Sequence, residues 1–206
     1  MSRQADVNLA VPNGRMLSRR RFLKLSALAA MGLVSTPALA KRHTSHVRFG
    51  AARTRRRAIP ERSLAFYNTH TGEHLKTVYW AQGTYLPSAM SEIDYILRDH
   101  YTNEVTSMDG ELLDLLYALR RRVDTRQAFH VVSAYRCPET NAMLRQFDGN
   151  VAQHSLHMVG KAVDIRLPDR RISSIRNAAL SLRMGGVGYY PDADFVHVDV
   201  GRVRYW

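Results

Sequence analysis

Three side chains of metal-binding types give the ligand count of a catalytic zinc site. His157 and Asp164 are seven residues apart, and His197 follows 33 residues after Asp164. Two imidazoles and one carboxylate can surround a zinc ion and leave a fourth coordination position for water, whereas a structural site usually fills all four positions with protein ligands. The sequence therefore predicts one zinc ion per chain, bound by His157, Asp164 and His197.

The first of these segments resembles a motif of the zinc D-Ala-D-Ala carboxypeptidases and murein endopeptidases, the LAS metallopeptidases. That motif reads Ser-x-His-x-x-Gly-x-Ala-x-Asp, and residues 155–164 match it at every specified position. The tail, residues 185–206, looks like the murein endopeptidase K branch. Members of that branch are exported by the twin-arginine pathway and cleave cell-wall cross-links. The resemblance covers residues 62–206 and the export signal. It implies a zinc hydrolase that acts on the peptide stems and cross-links of bacterial peptidoglycan.

An upstream segment supplies a candidate group for binding negative charge. Residues 133–137 read Ser-Ala-Tyr-Arg-Cys and resemble the Ser-Gly-Tyr-Arg-Ser stretch that precedes the zinc motif in the same family. We expect Arg136 to leave a strand end and point into the cleft. Its guanidinium could there pair with a substrate carboxylate or oppose the oxyanion that forms on the attacked carbonyl. The structural alternative is that Arg136 bridges the strand to a carboxylate such as Glu139.

Two aspartates are candidates for the catalytic general base. Many family members place a glutamate three residues before the last zinc histidine, or a second histidine two residues before it; this chain has Asp194 and Phe195 there. Asp199 shares a strand face with His197, where it could act as the base or hold the far nitrogen of the imidazole. The interpretation favours Asp199 as the base and keeps Asp194 as its rival.

Cys137 points to a different class of enzyme. A guanidinium such as that of Arg136 favours the reactive thiolate, which could form a nucleophilic pair with His157 or His197. This interpretation leaves Asp164 without a role, so a small, partly buried free thiol is preferred.

A third hypothesis is a non-catalytic module that contains a structural zinc ion and binds cell-wall peptides without hydrolysing them. Such a module would need no competent base, so Asp194 and Asp199 are the positions that separate it from a hydrolase.

Most of the other histidines have no predicted function. His154 lies three residues before His157 and could line the cleft, although an exposed loop position is preferred. The remaining six are predicted to be ordinary surface or core residues: His43, His46, His70, His74, His100 and His130.

The first 40 residues predict an export signal. Residues 18–24 read Ser-Arg-Arg-Arg-Phe-Leu-Lys, the twin-arginine pattern, and an uncharged apolar stretch follows at 25–39. It ends at Ala38-Leu39-Ala40, a small-x-small pattern for signal peptidase. Its 15 residues are short for a transmembrane helix, which needs about 20; an uncleaved anchor is the alternative. The twin-arginine translocation machinery is the predicted export partner, and the periplasm is the destination.

The net charge of +12 is concentrated ahead of the predicted domain. Residues 1–61 carry 13 Lys and Arg and two acids, which gives +11, whereas residues 62–206 carry 17 and 16, which gives +1. A nearly neutral domain without an interleaved basic and aromatic face excludes a nucleic-acid partner. Residues 41–61 are predicted to be a basic, disordered linker with few apolar side chains to bury.

Hydrophobic spacing and turn residues predict the elements that must position these groups. Thr71-Gly72 is the predicted turn of a hairpin, and Asp109 is the predicted N-cap of a leucine-rich helix. The predicted strands cover residues 63–68, 74–80, 129–135, 162–167, 186–190 and 195–200. The predicted helices cover residues 87–100, a segment from Asp109, a short segment opened by Pro138, and 171–183.

This order of elements predicts one α+β domain at 62–206, with flanking helices and a small, mostly antiparallel sheet. Alternation along the last long strand puts His197 and Asp199 on one face, and a neighbouring strand could bring Asp164 beside His197. The resemblance implies the LAS metallopeptidase fold, also described as Hedgehog- or DD-peptidase-like.

Overall fold

The structure, a computed structural model, describes residues 59–147 and 151–206. The predicted export signal at 1–40 and the linker up to residue 58 lie outside these residues, and both stay predictions. Within the described residues, none of the helices has the length and apolar character needed to cross a membrane.

Eight strands and four α-helices make up the described part of the chain. The strands are β1 (Arg62–Asn68), β2 (His74–Ala81), β3 (Thr84–Tyr85), β4 (Phe129–Ser133), β5 (Ala162–Arg166), β6 (Gly186–Tyr190), β7 (Phe195–Asp199) and β8 (Arg204–Tyr205). The helices are α1 (Pro87–Ile96), α2 (Gly110–Arg122), α3 (Pro138–Phe147) and α4 (Ile172–Leu182). A short 3-10 helix covers Leu156–Val159.

All eight strands join one sheet in the order β3-β2-β1-β4-β5-β7-β6-β8. Two neighbouring pairs, β1 with β4 and β6 with β8, run parallel, and the others run antiparallel. The predicted mixture of helices and strands is confirmed. The predicted small sheet is wrong, because the sheet has eight strands, and it is mixed, since two of its seven neighbouring pairs run parallel. The two-residue strands β3 and β8 were not predicted, since so short a segment shows no alternation of apolar and polar side chains.

Local sequence explains most of the element boundaries. The hairpin of β1 and β2 is confirmed, as is the N-cap of α2, where Asp109 accepts a hydrogen bond from the Glu111 amide. Helix α1 ends at Ile96, four residues before its predicted end. The chain turns there because the Asp99 side chain accepts hydrogen bonds from the backbone amides of Tyr101 and Cys137.

The two faces of the sheet differ in chemistry around β5 and β7. The core that helices α1, α2 and α4 cover includes Val163 and Ile165 of β5 and Val196 and Val198 of β7. Alternate residues of the same strands point the other way. Asp164, His197 and Asp199 therefore lie on the face opposite to this core.

Candidate metal centre

Strand register places two of the predicted ligands side by side. Asp164 of β5 is the direct partner of His197 of β7 in an antiparallel pair, and Gly188 of β6 is the partner of His197 on its other side. Directly opposed residues project their side chains to the same face. The expected pairing of these two strands is confirmed, and it brings a carboxylate against an imidazole.

The third predicted ligand, His157, comes from the 3-10 helix that precedes β5. Ser155 caps this helix by accepting a hydrogen bond from the His157 amide at 3.3 Å. Gly160 ends the helix with a left-handed φ of 66°, and a Cβ there would lie 2.4 Å from the carbonyl oxygen of Ser107. The serine and glycine of the 155–164 motif thus shape the turn that aims His157 at the strands.

One atom from each of the three predicted ligands converges on the same point. His157 Nε2 lies 3.1 Å from His197 Nδ1 and 3.3 Å from Asp164 Oδ1, and the last two atoms are 2.8 Å apart. Metal–ligand bonds of about 2.0–2.1 Å in a tetrahedral zinc site separate neighbouring ligand atoms by about 3.3 Å. The triangle formed by these atoms is therefore of the right size to hold a zinc ion.

Outer hydrogen bonds fix which nitrogen of each histidine faces the centre. His157 Nδ1 lies 2.6 Å from the carbonyl oxygen of Ala134, and His197 Nε2 lies 3.0 Å from Asp199 Oδ2. These oxygens only accept, so the proton of the neutral His157 imidazole lies on Nδ1 and leaves the lone pair of Nε2 free. Both nitrogens of His197 face carboxylate oxygens, because Nδ1 lies 2.8 Å from Asp164 Oδ1. His197 Nδ1 therefore offers a lone pair to a metal in the tautomer that carries its proton on Nε2, beside Asp199.

Burial and charge set the protonation of the three groups. Burial lowers the pKa of His157, which favours the neutral imidazole that binds zinc. Burial also acts to lower the pKa of His197, but hydrogen bonds with Asp164 and Asp199 outweigh it and raise that pKa. Burial opposes ionisation of Asp164, yet its contacts with His157 and His197 hold the pKa of the carboxyl well below its usual range. The centre thus contains a carboxylate suited to a cation.

Arg136 lies beside the centre and contacts one of the predicted ligands. Its Nη2 donates to Asp164 Oδ2, and its Nε donates to Ser133 Oγ at 2.8 Å. Its partner is therefore Asp164 and not Glu139. With 15% of its side chain exposed, Arg136 also reaches the wall of the cleft.

Asp199 stands behind His197 and is fully buried. Its Oδ1 accepts hydrogen bonds from the amides of Gly186 and Gly201 and from Arg204, and its Oδ2 accepts from His197 and Arg204. Burial acts to raise the pKa of this carboxyl, but the hydrogen bonds from His197 and Arg204 outweigh it and lower the pKa. A general base needs access to its proton and a pKa near the working pH. The predicted base role of Asp199 does not fit this geometry.

The rival base also lies apart from the centre. Asp194 occupies the turn between β6 and β7, with a φ of 53°. Its side chain is 64% exposed and pairs with Arg166 at 3.3 Å. Asp194 does not line the cleft, so the predicted base role does not fit this position either.

A cleft of about 440 Å³ opens onto the three predicted ligand residues. His154 lines it, as the sequence left open, whereas His70, His74, His100 and His130 do not. Cys137 is fully buried, and its Sγ contacts the Thr140 hydroxyl at 3.3 Å. A nucleophilic thiol would have to reach the cleft, so this position does not support the cysteine-peptidase alternative.

Several groups at the site were not predicted from the sequence. Arg204 holds Asp199, the backbone carbonyl of Ala134 orients His157, and Tyr190 and Trp206 line the cleft. A backbone carbonyl carries no signal in the residue types. Arg204 and Trp206 reach the site because the two-residue strand β8 pairs with β6, and that pairing was not predicted.

The chain is similar to known proteins over nearly all of its length. Residues 56–206 match the family described as peptidoglycan L,D-endopeptidase MepK. The peptidoglycan L,D-endopeptidase MepK of Escherichia coli strain K12 is 35% identical over 190 residues, which cover 92% of this chain and 97% of that protein. The probable peptidoglycan L,D-endopeptidase MepK of Haemophilus influenzae is 40% identical over 146 residues, or 70% of this chain and 78% of the relative. No solved structure gives a significant match.

Proposed function

The chain belongs to the family of peptidoglycan L,D-endopeptidase MepK, and we propose that it hydrolyses peptide cross-links of bacterial peptidoglycan with one zinc ion per chain. His157, Asp164 and His197 hold the ion in this proposal. The observation that carries it is the convergence of their three ligand atoms, at separations of 2.8–3.3 Å, on the floor of an open cleft. The substrate is the L,D-linked peptide between two stems, as in the names of the relatives.

The ligand set suits hydrolysis because it leaves room for water. When bound, zinc lowers the pKa of its water to about 7 and polarises the scissile carbonyl. Within residues 59–147 and 151–206, this group contains three candidate ligands and no thiol, because Cys137 lies outside the triangle. A module that only bound peptides would not need a coordination position that faces a substrate cleft.

The residues around the ligands keep them in position. Arg136 holds Asp164 Oδ2, so that Oδ1 faces the centre, and Asp199 holds the far nitrogen of His197. Arg204 in turn anchors Asp199 through two hydrogen bonds. Such outer partners orient metal ligands and raise their basicity. We therefore assign Asp199 and Arg136 to positioning, and neither Asp199 nor Asp194 to proton transfer.

Zymography on purified cell walls tests the proposed activity. The full chain should clear the walls, a chelator should abolish clearing, and added zinc should restore it. The variant His157→Ala should show no clearing at any zinc concentration. Clearing that persists after chelation would overturn the zinc mechanism, and a lack of clearing with a fully zinc-loaded chain would overturn the proposed activity.

We also propose that the protein reaches the periplasm by twin-arginine export, since peptidoglycan lies outside the cytoplasmic membrane. The support is the pattern at residues 18–24 and the apolar stretch that follows it. Replacing Arg19 and Arg20 by lysine should leave the protein in the cytoplasm, because the transport receptor reads this pair. Cell fractionation with an antibody measures the outcome, and normal periplasmic delivery of the double variant would contradict the proposal.

A further inference from the structure

We propose that Tyr190, Phe195 and Trp206 form an aromatic wall that binds the methylene chain of the cross-linking diamino acid. All three line the cleft above the metal centre. The inference rests on the proposed function, because it names the part of the peptidoglycan peptide that this wall receives.

The wall is continuous and lies next to a predicted zinc ligand. The rings of Tyr190 and Phe195 stack with centroids 4.5 Å apart and an interplanar angle of 20°. Trp206 donates from its indole Nε1 to the Tyr190 hydroxyl at 2.8 Å, and its ring centroid lies 5.2 Å from that of His197. An aromatic surface therefore begins beside the site where the scissile carbonyl would lie.

The backbone and the indole of Trp206 are both held by neighbours, yet half of the residue's surface stays exposed. Its backbone exchanges hydrogen bonds with β6, through the amide of Tyr189 at 3.1 Å and the carbonyl of Val187 at 3.2 Å. The guanidinium of Arg204 lies 4.9 Å from the ring centroid. The residue remains 50% exposed. An indole fixed so firmly loses little conformational entropy when a ligand covers it, which suits a binding surface.

Gly188 shows how closely the indole approaches the sheet. A Cβ at this position would lie 2.8 Å from two carbon atoms of the Trp206 ring and 2.9 Å from its nitrogen. The absence of a side chain at Gly188 therefore lets the indole lie against β6. Any larger residue there would push Trp206 from its present position.

The chemistry of the cleft favours an aliphatic occupant. Besides the aromatic wall, the lining includes the aliphatic side chains of Leu144, Val151 and Leu156. The guanidinium groups of Arg136 and Arg204 are both paired with buried carboxylates. A methylene chain can contact such an apolar lining through burial and dispersion, while the amide at its end reaches the predicted metal ligands. The diamino acid that joins two stems has a chain of this kind.

The first test compares kinetics of Trp206→Ala with Tyr205→Ala on cross-linked peptides freed of sugar. Tyr205 is the matched control because it is the adjacent residue of β8, is 79% exposed and does not line the cleft. Loss of contact with two or three methylene groups should raise the KM of Trp206→Ala about 10- to 50-fold. Its kcat and its zinc content should stay near those of the parent chain, and Tyr205→Ala should match the parent in all three.

The second test measures binding without turnover. The chain has two tryptophans, Trp80 and Trp206, so the variant Trp80→Phe leaves Trp206 as the only indole. Its emission, recorded in chelator, should change saturably when the cross-linked peptide is added. A peptide with alanine in place of the diamino acid should leave the emission unchanged. Gly188→Ala, which displaces the indole, should raise KM as Trp206→Ala does.

The outcomes separate this inference from the proposed function. If the parent chain cuts the peptide but KM and Trp206 emission do not respond as described, the aromatic wall is not the subsite. Loss of zinc and kcat in Trp206→Ala at unchanged KM would overturn the inference in favour of a structural role. An emission change seen only with sugar-bearing fragments would overturn it in favour of glycan binding. A zinc-loaded parent that fails to cut any wall peptide would contradict the proposed function itself.

Discussion

Two pairs of neighbouring histidines in this molecule meet in opposite ways. The rings of His157 and His197 lie 5.0 Å apart at an angle of 61°, and their nitrogens converge with an oxygen of Asp164. The rings of His70 and His100 lie 3.7 Å apart at 5°, so that they stack face to face. The first pair directs lone pairs at one point, whereas the second presents its π faces to each other.

The difference lies in the groups that surround each pair. In the first pair, the Ala134 carbonyl and the Asp199 carboxylate accept at the outer nitrogens, and the inner nitrogens face the proposed metal site. In the second pair, His70 Nε2 contacts a backbone carbonyl, and His100 Nε2 has no hydrogen-bond partner among the described residues. A metal centre thus requires outer acceptors and a free carboxylate, and adjacent imidazoles alone do not provide one.

The largest difference in zinc content and activity should appear when one imidazole is removed from each pair. His157→Ala should lose its bound zinc and all detectable hydrolysis, since it removes a ligand and leaves only two. His70→Ala is the control, and it should keep one zinc per chain and the activity of the parent. Zinc analysis and zymography on both purified variants measure the result. Retained activity in His157→Ala would show that His157 and His197 do not form the metal-binding pair.

An intermediate effect should follow when the outer partner of His197 is changed. Asp199→Asn keeps the shape of the side chain but removes the carboxylate that accepts from His197 Nε2. We expect zinc affinity to fall about 10- to 100-fold, with activity recovered at high zinc. Asp194→Asn should match the parent. A rate loss of about 10²–10⁴-fold that excess zinc does not restore would instead reveal Asp199 as the base.

A smaller change is expected when the partner of Asp164 is altered. Arg136→Gln removes the guanidinium that fixes Asp164 Oδ2. Zinc affinity should fall by about 10-fold, the lower end of the range for outer partners, and kcat should recover at saturating zinc. A kcat that stays about 10²–10³-fold low at saturating zinc would show that Arg136 stabilises the oxyanion. Steady-state kinetics across a zinc titration distinguish the two results.

The smallest expected effect is a pH dependence of the stability of the fold that arises from His100 in the stacked pair. Burial lowers the pKa of His100, and electrostatic interactions with His70 and Arg136 act in the same direction, against that with Asp99. The unfolded chain therefore binds this proton at a higher pH than the folded chain, and stability should fall as the pH falls below about 6.5.

Urea denaturation at pH 7 and pH 5 measures this dependence. His100→Phe keeps a ring on His70 but cannot titrate, so its denaturation midpoint should fall less between the two pH values than that of the parent. His74→Asn, at an exposed position outside the stacked pair, serves as the control. An equal fall in the parent and in His100→Phe would show that the stacked pair does not contribute.

The convergence of His157, Asp164 and His197 could be predicted from the sequence more fully than the groups around them, for physical reasons. His157 and Asp164 stand in one short motif, and the register of β5 with β7 follows from strands that alternate apolar and polar residues. The role of Asp199 could not be decided from its shared face with His197, because the hydrogen bonds of Arg204 depend on the two-residue strand β8. The parallel pairing of β1 with β4 joins distant segments, and no turn residue signals it.

X-ray absorption at the zinc edge, on the purified full chain, tests whether His157, Asp164 and His197 bind zinc. We expect one zinc per chain with only nitrogen and oxygen neighbours at about 2.0–2.2 Å. In His157→Ala the imidazole signal should weaken or the zinc should be lost, whereas His70→Ala should be unchanged. A sulfur neighbour at about 2.3 Å, which a thiolate such as Cys137 would supply, would contradict this ligand set, as would a chain that binds no zinc.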